Sequence, residues 1–465
     1  MSIEKKMFDM IIIGSGQGGT PLAQASARAG NKTALVERKY IGGSCINVGC
    51  TPTKTMIASA RVAHLVSRAK DYGIETAKWS VDFLKVRERK QDLVESFRNG
   101  SRKRLLSTDG LTLLEGEASF TGIKELKVDY TGGGYDLIKA DTIVINTGAA
   151  PARLHIPGMD SIKALDSTSI MEIDDLPEHL IIIGGGYVGL EFGQMFRRFG
   201  SKVTILHRGD QLLSREDRDI AEEVYKILKN DGIEIILQSK PEKVAASGNN
   251  HIALTIVKDD QEKLIRGSHL LVATGRNPNT AALNLELTGL KINERGFIAV
   301  NDNLETAVSG IYAIGDVNGG PAFTHISYDD YRILSKNLLQ DGNAVTTGRQ
   351  VPYVVFIDPQ LGRIGLTEKE AEKHGYNYRV AKMPMSWVAR ALETDETAGM
   401  MKAIVDVNTD QILGAAILGL EGGEIMAILQ MAMLGNVPYT TIRDTIFAHP
   451  TLSESLNNLF SSFDN

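Results

Sequence analysis

Phe8-Asp9-Met10-Ile11-Ile12-Ile13-Gly14-Ser15-Gly16-Gln17-Gly18-Gly19 is the stretch whose reading decides the fold. An apolar run that ends in closely spaced glycines predicts a buried strand passing into a tight turn. A helix-compatible stretch follows to Gly30, and a second strand ends at Glu37. Each glycine has a physical reason. Gly14 makes the turn, Gly16 lets a pyrophosphate approach the backbone, and Gly19 lets the helix pack closely with its N-terminus toward the phosphates. Glu37, 23 residues after Gly14, stands where a carboxylate accepts a ribose 2′-hydroxyl.

The same unit returns at residues 180–183, followed by Gly184-Gly185-Gly186-Tyr187-Val188-Gly189, a helix to Gly200 and a strand at 203–206. Both copies place a glycine 16 residues after the first fingerprint glycine, and both end their second strand 23 residues after it. Matched frames predict two dinucleotide sites in an α/β chain. The copies differ where it matters, since Glu37 is matched by His207, with Arg208 and Arg215 beyond it. A carboxylate repels a 2′-phosphate and a basic group attracts it, so the second site is expected to prefer NADPH, with NADH as the alternative. A strand at 142–146 ends in Thr147-Gly148, and its echo at 270–273 ends in Thr274-Gly275. Arg276-Asn277-Pro278 reads as a linker, and a further strand at 310–314 ends in Gly315-Asp316, whose carboxylate suits sugar-like hydroxyls. From about Val351 the texture changes to alternating strands and a Met, Ile and Leu-rich helix at 423–434, which suits a core or a subunit contact.

Among 465 residues there are two cysteines, both in Gly42-Gly43-Ser44-Cys45-Ile46-Asn47-Val48-Gly49-Cys50-Thr51-Pro52-Thr53-Lys54. Residues five apart on an ideal helix are about 140° out of phase, so a Cys45–Cys50 bond requires a distorted first turn. Gly42, Gly43 and Gly49 supply that freedom. So small a loop gains little unfolded-state entropy, which favours a redox-active pair at a helix N-terminus over a structural staple. Near the other end His449 is followed at five residues by Glu454, which admits two readings, an oriented general base or a structural cap near a helix start.

A formal charge of −6 without long runs argues against nucleic acid or anionic membrane as partner, and 43% apolar with 23% charged residues is ordinary for a soluble protein. The start, Met1 to Asp9, lacks an apolar signal core, and no apolar run approaches a membrane span. A cytoplasmic location and the absence of a metal site are the expectations.

Taken together, these stretches resemble the class I pyridine nucleotide–disulfide oxidoreductases, the flavoprotein family of glutathione reductase, dihydrolipoyl dehydrogenase and mercuric reductase, over nearly the whole chain. The resemblance implies two Rossmann-like domains, for FAD and NAD(P)H, and a C-terminal α+β dimerisation domain. The expected division is 1–150 and 277–347 for FAD, 151–276 for NAD(P)H and 348–465 for the interface. It implies that Gly14, Gly16, Gly19, Glu37, Thr147, Gly148 and Asp316 hold FAD. The nicotinamide nucleotide then falls to Gly184, Gly186, Gly189, His207, Arg208, Arg215 and Gly275, with Tyr187 covering its pocket. Lys54 and Glu191 resemble the family's ion pair beside the flavin. Cys50 is then the flavin-side thiolate and Cys45 the thiol that meets substrate. His449, held by Glu454, serves the neighbouring subunit's Cys45 in a homodimer. Residues 319–331 and 446–460 look most like a mercuric-reductase-like branch that includes reactive-chlorine-resistance flavoproteins. Hypothiocyanite, Cu(II) and Hg(II) are therefore substrate candidates. Classical mercuric reductase ends in a vicinal cysteine pair, which this C-terminus does not have. The competing readings are a dihydrolipoyl dehydrogenase, with an acidic residue expected at His207, and a non-catalytic flavin redox sensor, against which Lys54, Glu191, His449 and Glu454 together speak.

Overall fold

The structure, a computed structural model, describes residues 5–248 and 251–463, so the first four residues of the charged start lie outside it. The chain forms two compact units. One comprises the chain up to Thr55, Arg87–Ala152 and Gly275–Arg349; the other comprises Met56–Val86, Arg153–Thr274 and the chain from Gln350 on.

In the first unit the strand Lys6–Ile13 pairs in parallel with Thr33–Glu37 on one side and with Tyr135–Ile145 on the other. Leu111–Gly122 and Ile311–Ala313 extend this parallel sheet at its two edges. Ile11, Ile12, Ile143, Val144 and Ile145 are fully buried, as expected for parallel strands covered on both faces. The two long strands Leu111–Gly122 and Tyr135–Ile145 run past the parallel sheet and hold Glu125–Tyr130 between them as an antiparallel meander. All the parallel strands but Leu111–Gly122 end at one edge, and that edge collects Gly14, Glu37, Asn146 and Gly315.

The second unit repeats the plan. His179–Ile183 pairs in parallel with Lys202–Leu206 and with His269–Val272, and Glu234–Ile236 completes the sheet. Lys240–Ser247, His251–Lys258 and Gln261–Gly267 form a separate antiparallel sheet. The C-terminal part is a five-stranded antiparallel sheet in the order Tyr353–Val355, Gln360–Gly365, Ile412–Gly419, Met400–Asp406, Tyr378–Pro384. Its apolar face packs with residues of the helices Gly422–Leu434 and Ser455–Ser461, including Leu429, Leu456 and Phe460.

Residues 276–278, read above as a linker, are instead a strand: Arg276–Pro278 pairs antiparallel with Ala149–Pro151. Asn-Pro is turn-like locally, and the ladder that overrides it lies more than 120 residues away in sequence. The strand expected at 310–314 shortens to Ile311–Ala313.

Within the second unit, Lys402 is fully buried with its ammonium 3.0 Å from Asp217, 2.9 Å from Asp219 and in contact with Glu368. These three carboxylates are close enough to share a cation, and the lysine is that cation. Burial works to raise the Asp219 carboxyl, but hydrogen bonds from Lys382 and Lys402 outweigh it and hold Asp219 below its ordinary value. A depressed carboxyl contributes stability above its unfolded-state value, and that contribution is lost as pH falls through the folded-state value. Removing one member of a buried charge cluster leaves the others uncompensated, which costs about 3–5 kcal/mol. Lys402→Met is therefore expected to lower the urea midpoint sharply at neutral pH, with the deficit narrowing toward pH 3; a midpoint equal to wild type at neutral pH would refute the lysine's role.

Candidate active site

The cysteine stretch folds into two successive helices. Gly43–Val48 carries Cys45, Gly49 breaks the helix at φ −129°, ψ −115°, and a new helix starts at Cys50 and runs to Ser67. This is the distortion that the five-residue spacing demands. A Cβ at Gly49 would lie 2.9 Å from Ser44 O, so the break tolerates no side chain without a shift. Gly43, at φ +64°, lies against Gly16, where an added Cβ would come within 2.8 Å of its Cα, and so the thiol stretch sits on the first fingerprint turn. The intervening Asn47 is nearly buried. Its amide donates to Ile41 O at 2.9 Å and Gly43 O at 2.8 Å, and its carbonyl accepts from Arg98 at 2.6 Å.

Both cysteines are thiols, Cys45 half-buried and Cys50 exposed. Cys45 is pushed well above the ordinary thiol range, first by its hydrogen bond with Cys50, then by burial and by the charge on Cys50. The Thr324 hydroxyl and the Lys54 ammonium pull it the other way and lose. The proton is therefore held on Cys45, and Cys50 is the first residue of an 18-residue helix, where a thiolate is favoured. Thr324 Oγ1 lies 3.2 Å from Cys50 Sγ. Sequence reasoning missed Thr324, because nothing local ties it to a cysteine 274 positions away.

At the carboxyl edge of the first sheet, the Ser15 N–H and hydroxyl donate to one oxygen of Glu37 at 3.0 and 2.7 Å, and the Lys39 N–H donates to the other at 2.9 Å. Asn146 is buried between the two halves of that edge: its carbonyl accepts from Gly19 N–H at 2.9 Å and its amide donates to Ile314 O at 2.9 Å. Asn279 holds Thr147 and Gly148 through their carbonyls at 2.8 and 2.9 Å. Burial pushes the Asp316 carboxyl up, while Arg276, 3.9 Å away, draws it down. Thr147 Oγ1 and Arg276 Nε are buried without a hydrogen-bond partner. Such orphans are rare in native proteins. Two of them beside Gly148 and Asp316 fit the polar groups of FAD.

The second site repeats this geometry with other chemistry. Gly185 N–H, the counterpart of Ser15 N–H, donates to His207 Nδ1 at 3.2 Å. Burial, then the neighbouring Arg208, push the imidazole below its ordinary value. His207 is therefore a neutral acceptor, and Arg208 and Arg215 beyond it are exposed. Its Nε2 is buried without a partner. Gly186 caps the helix Tyr187–Phe199, and Tyr187 is partly exposed at its first position. Glu191 is buried on this helix and accepts from Phe356 N–H at 2.9 Å. Two residues unforeseen in the sequence reinforce it: Gln194 accepts from Asp358 N–H at 2.7 Å, and Arg198 pairs with the Asp358 carboxylate.

In the C-terminal part, His449 Nδ1 lies 2.9 Å from Glu454, and the imidazole is largely exposed. Glu454 as acceptor fixes the proton on Nδ1 and leaves Nε2 as the basic atom. Such a dyad can take and return a proton.

Two glycine turns at parallel-sheet edges, a polarised thiol pair and an oriented imidazole define a flavin- and nucleotide-dependent disulfide reductase. The chain belongs to the pyridine nucleotide-disulphide oxidoreductase family, which it matches over residues 8–330, and it matches that family's dimerisation domain over residues 351–460. The family is FAD-dependent and uses a pyridine nucleotide. The chain is 39% identical to the probable pyridine nucleotide-disulfide oxidoreductase RclA of Escherichia coli K12, over 98% of this chain and 99% of that one. A mercuric reductase of Staphylococcus aureus is 34% identical, over 98% of this chain and 82% of that one. A dihydrolipoyl dehydrogenase of Thermus scotoductus is 36% identical, over 97% and 96%. Among solved structures, the Cu(II) complex of the HOCl-induced flavoprotein disulfide reductase RclA from Escherichia coli superposes with a TM-score of 0.90 at 38% identity, covering 99% of this chain and 100% of that one. Among the described residues, no helix is long and apolar enough to cross a membrane.

Asn146→Ala orphans Gly19 N–H and Ile314 O together. Each buried orphan costs about 1–3 kcal/mol, so the variant is expected to unfold at lower urea and to release flavin more readily, measured by flavin fluorescence on dilution. Wild-type flavin retention at a lowered urea midpoint would show that Asn146 serves the sheet and not the cofactor edge.

Proposed function

We propose that this protein carries electrons from NADPH to the Cys45–Cys50 pair and on to a small oxidant or soft electrophile at Cys45, with hypothiocyanite, Cu(II) and Hg(II) as the candidate substrates. The observation that carries this reading is the unequal thiol pair, with Cys45 half-buried and its proton held, and Cys50 exposed at the start of an 18-residue helix. FAD, when bound, relays two electrons from the nicotinamide to the cysteines. Gly14, Gly16, Gly19, Glu37, Thr147, Gly148 and Asp316 hold it, within domains 1–150 and 277–347. Gly184, Gly186, Tyr187, Gly189, His207, Arg208, Arg215 and Gly275 serve the nucleotide in domain 151–276. Lys54 and Glu191 are the residues that the family resemblance assigns to the ion pair beside the flavin.

Domain 348–465 forms a homodimer, and the partner subunit's His449 takes the proton of Cys45. With hypothiocyanite reacting as its acid HOSCN, the Cys45 thiolate attacks sulfur, hydroxide leaves and takes up the proton that the partner subunit's His449 removed from Cys45 to give water, and a sulfenyl thiocyanate forms. Cys50 then displaces thiocyanate and regenerates the disulfide. With Cu(II), two ions each accept one electron as the dithiol becomes disulfide. Support for copper comes from the Cu(II) complex of the Escherichia coli relative and from thiolate's preference for soft metal. The chain's two cysteines leave no second thiol pair for delivering mercury.

Anaerobic NADPH oxidation by the FAD-loaded protein, with hypothiocyanite, Cu(II), Hg(II) and lipoamide offered separately, decides the branch. Turnover with one of the first three, lost in Cys45→Ser, is expected. Turnover with lipoamide alone would make this a dihydrolipoyl dehydrogenase, and none at all would favour a sensor. Each arginine–phosphate contact contributes about 1.5–3 kcal/mol, so replacing Arg208 and Arg215 by glutamate should reduce kcat/KM for NADPH at least tenfold and leave that for NADH within a few-fold. An equal loss with both nucleotides would sink the assignment of the 2′-phosphate to these arginines.

A further inference from the structure

The helix Thr324–Leu339 begins at the thiols. One turn on, Ser327 lies against Gly18 and Gly315. A further turn on, at residue 330, a carboxylate only 1% exposed accepts Gly315 N–H at 2.8 Å and the Arg349 guanidinium at 2.5 Å. Thr324, Ser327 and Asp330 follow each other at three-residue steps, so they occupy one broad face over about 9 Å of helix. An ionised carboxylate at this depth is costly unless paired and hydrogen-bonded. Burial does push Asp330 up, with Arg349 and Gly315 N–H opposing it. A helix placed by two such partners at its middle has little freedom at its first residue.

We propose that Asp330 is a positioning residue for the thiol chemistry: by fixing the helix Thr324–Leu339 against Gly315, it holds the Thr324 hydroxyl on Cys50, so that one element sets both the cofactor turn and the thiol. The inference rests on the reading of Cys50 as the thiolate of the pair. When Cys50 is ionised only Thr324 can donate, and the bond favours the charged form. The other charged and titratable groups around these residues are Cys45 and Lys54 on the thiol helices, His325 and Asp329 on the helix itself, Arg349, and Asp316 on the cofactor turn. A direct field effect and a positioning effect differ in sign. Removing a negative charge at residue 330 would by itself favour the thiolate, whereas loosening Thr324 disfavours it.

The test uses the FAD-loaded protein with Cys45 replaced by serine, which leaves Cys50 as its sole thiol. The pH profile of iodoacetamide alkylation is read by intact mass. Thr324→Val is expected to raise the alkylation midpoint by about one pH unit, and Thr324→Ser to restore it. Asp330→Ala is expected to shift it the same way by a smaller amount and to weaken flavin retention. Combined with Thr324→Val it should add nothing to the midpoint shift, the non-additivity expected of two residues acting through one contact. Arg349→Gln, which keeps the Gly315 bond, provides the same reading should Asp330→Ala not fold. An unmoved midpoint in Thr324→Val, a fall in Asp330→Ala, or additive shifts would each overturn the proposal. None of these outcomes depends on which oxidant is turned over or on nucleotide choice.

Discussion

Two hydrogen bonds of one buried amide hold the first dinucleotide site together. Asn146 follows the strand Tyr135–Ile145 and joins the fingerprint helix, through Gly19 N–H, to the strand end at Ile314. Parallel strands end at one edge, but the pairing alone does not set how far each loop rises above that edge. An amide with one acceptor and one donor, both used, fixes two loops at once. Gly315 and Asp316 follow directly from Ile314, and Gly43 with the thiol stretch rests on the fingerprint turn. The thiols are placed by the same backbone that forms the first glycine turn.

The second sheet shows what duplication kept and what it changed. In both copies the residue after the first fingerprint glycine donates its N–H to the side chain that ends the second strand, Ser15 to Glu37 and Gly185 to His207. The bond is needed in both because it closes the turn. Its acceptor carries a charge in one copy, whereas a buried imidazole next to Arg208 stays neutral in the other. Neutrality leaves that edge without the negative charge a carboxylate would put there.

Much of this was legible in the sequence because it is local or repeated. The two strand–turn–helix–strand units, the helix break that Cys45 and Cys50 require, and the His449–Glu454 pair all follow from spacings of a few residues. What escaped is non-local. Asn146 bonds across 127 and 168 positions, and Thr324 reaches a cysteine 274 away. Arg276–Pro278 looked like a linker because its ladder partner is equally distant. The Lys402 cluster was hidden for another reason: a lone lysine in a strand reads as solvent-facing, and only the fold brings three carboxylates to it. Asn146 did leave a signal, a polar residue closing an apolar strand just before Thr-Gly, which marks a position where burial demands partners.

The break at Gly49 has a consequence beyond letting two sulfurs meet. In a continuous helix Cys45 and Cys50 would point about 140° apart and both would be interior residues, with amides already committed to the helix. Breaking the chain at Gly49 creates a new N-terminus at Cys50, so that this sulfur gains the positive end of an 18-residue helix, while Cys45 has only the first turn of a six-residue one. Cys45 lies in the six-residue helix before the break, half-buried, with its proton directed at Cys50. Chemically identical side chains are thereby given unequal surroundings, and that inequality is present before any substrate arrives. The same backbone break that permits the contact between the sulfurs also supplies it.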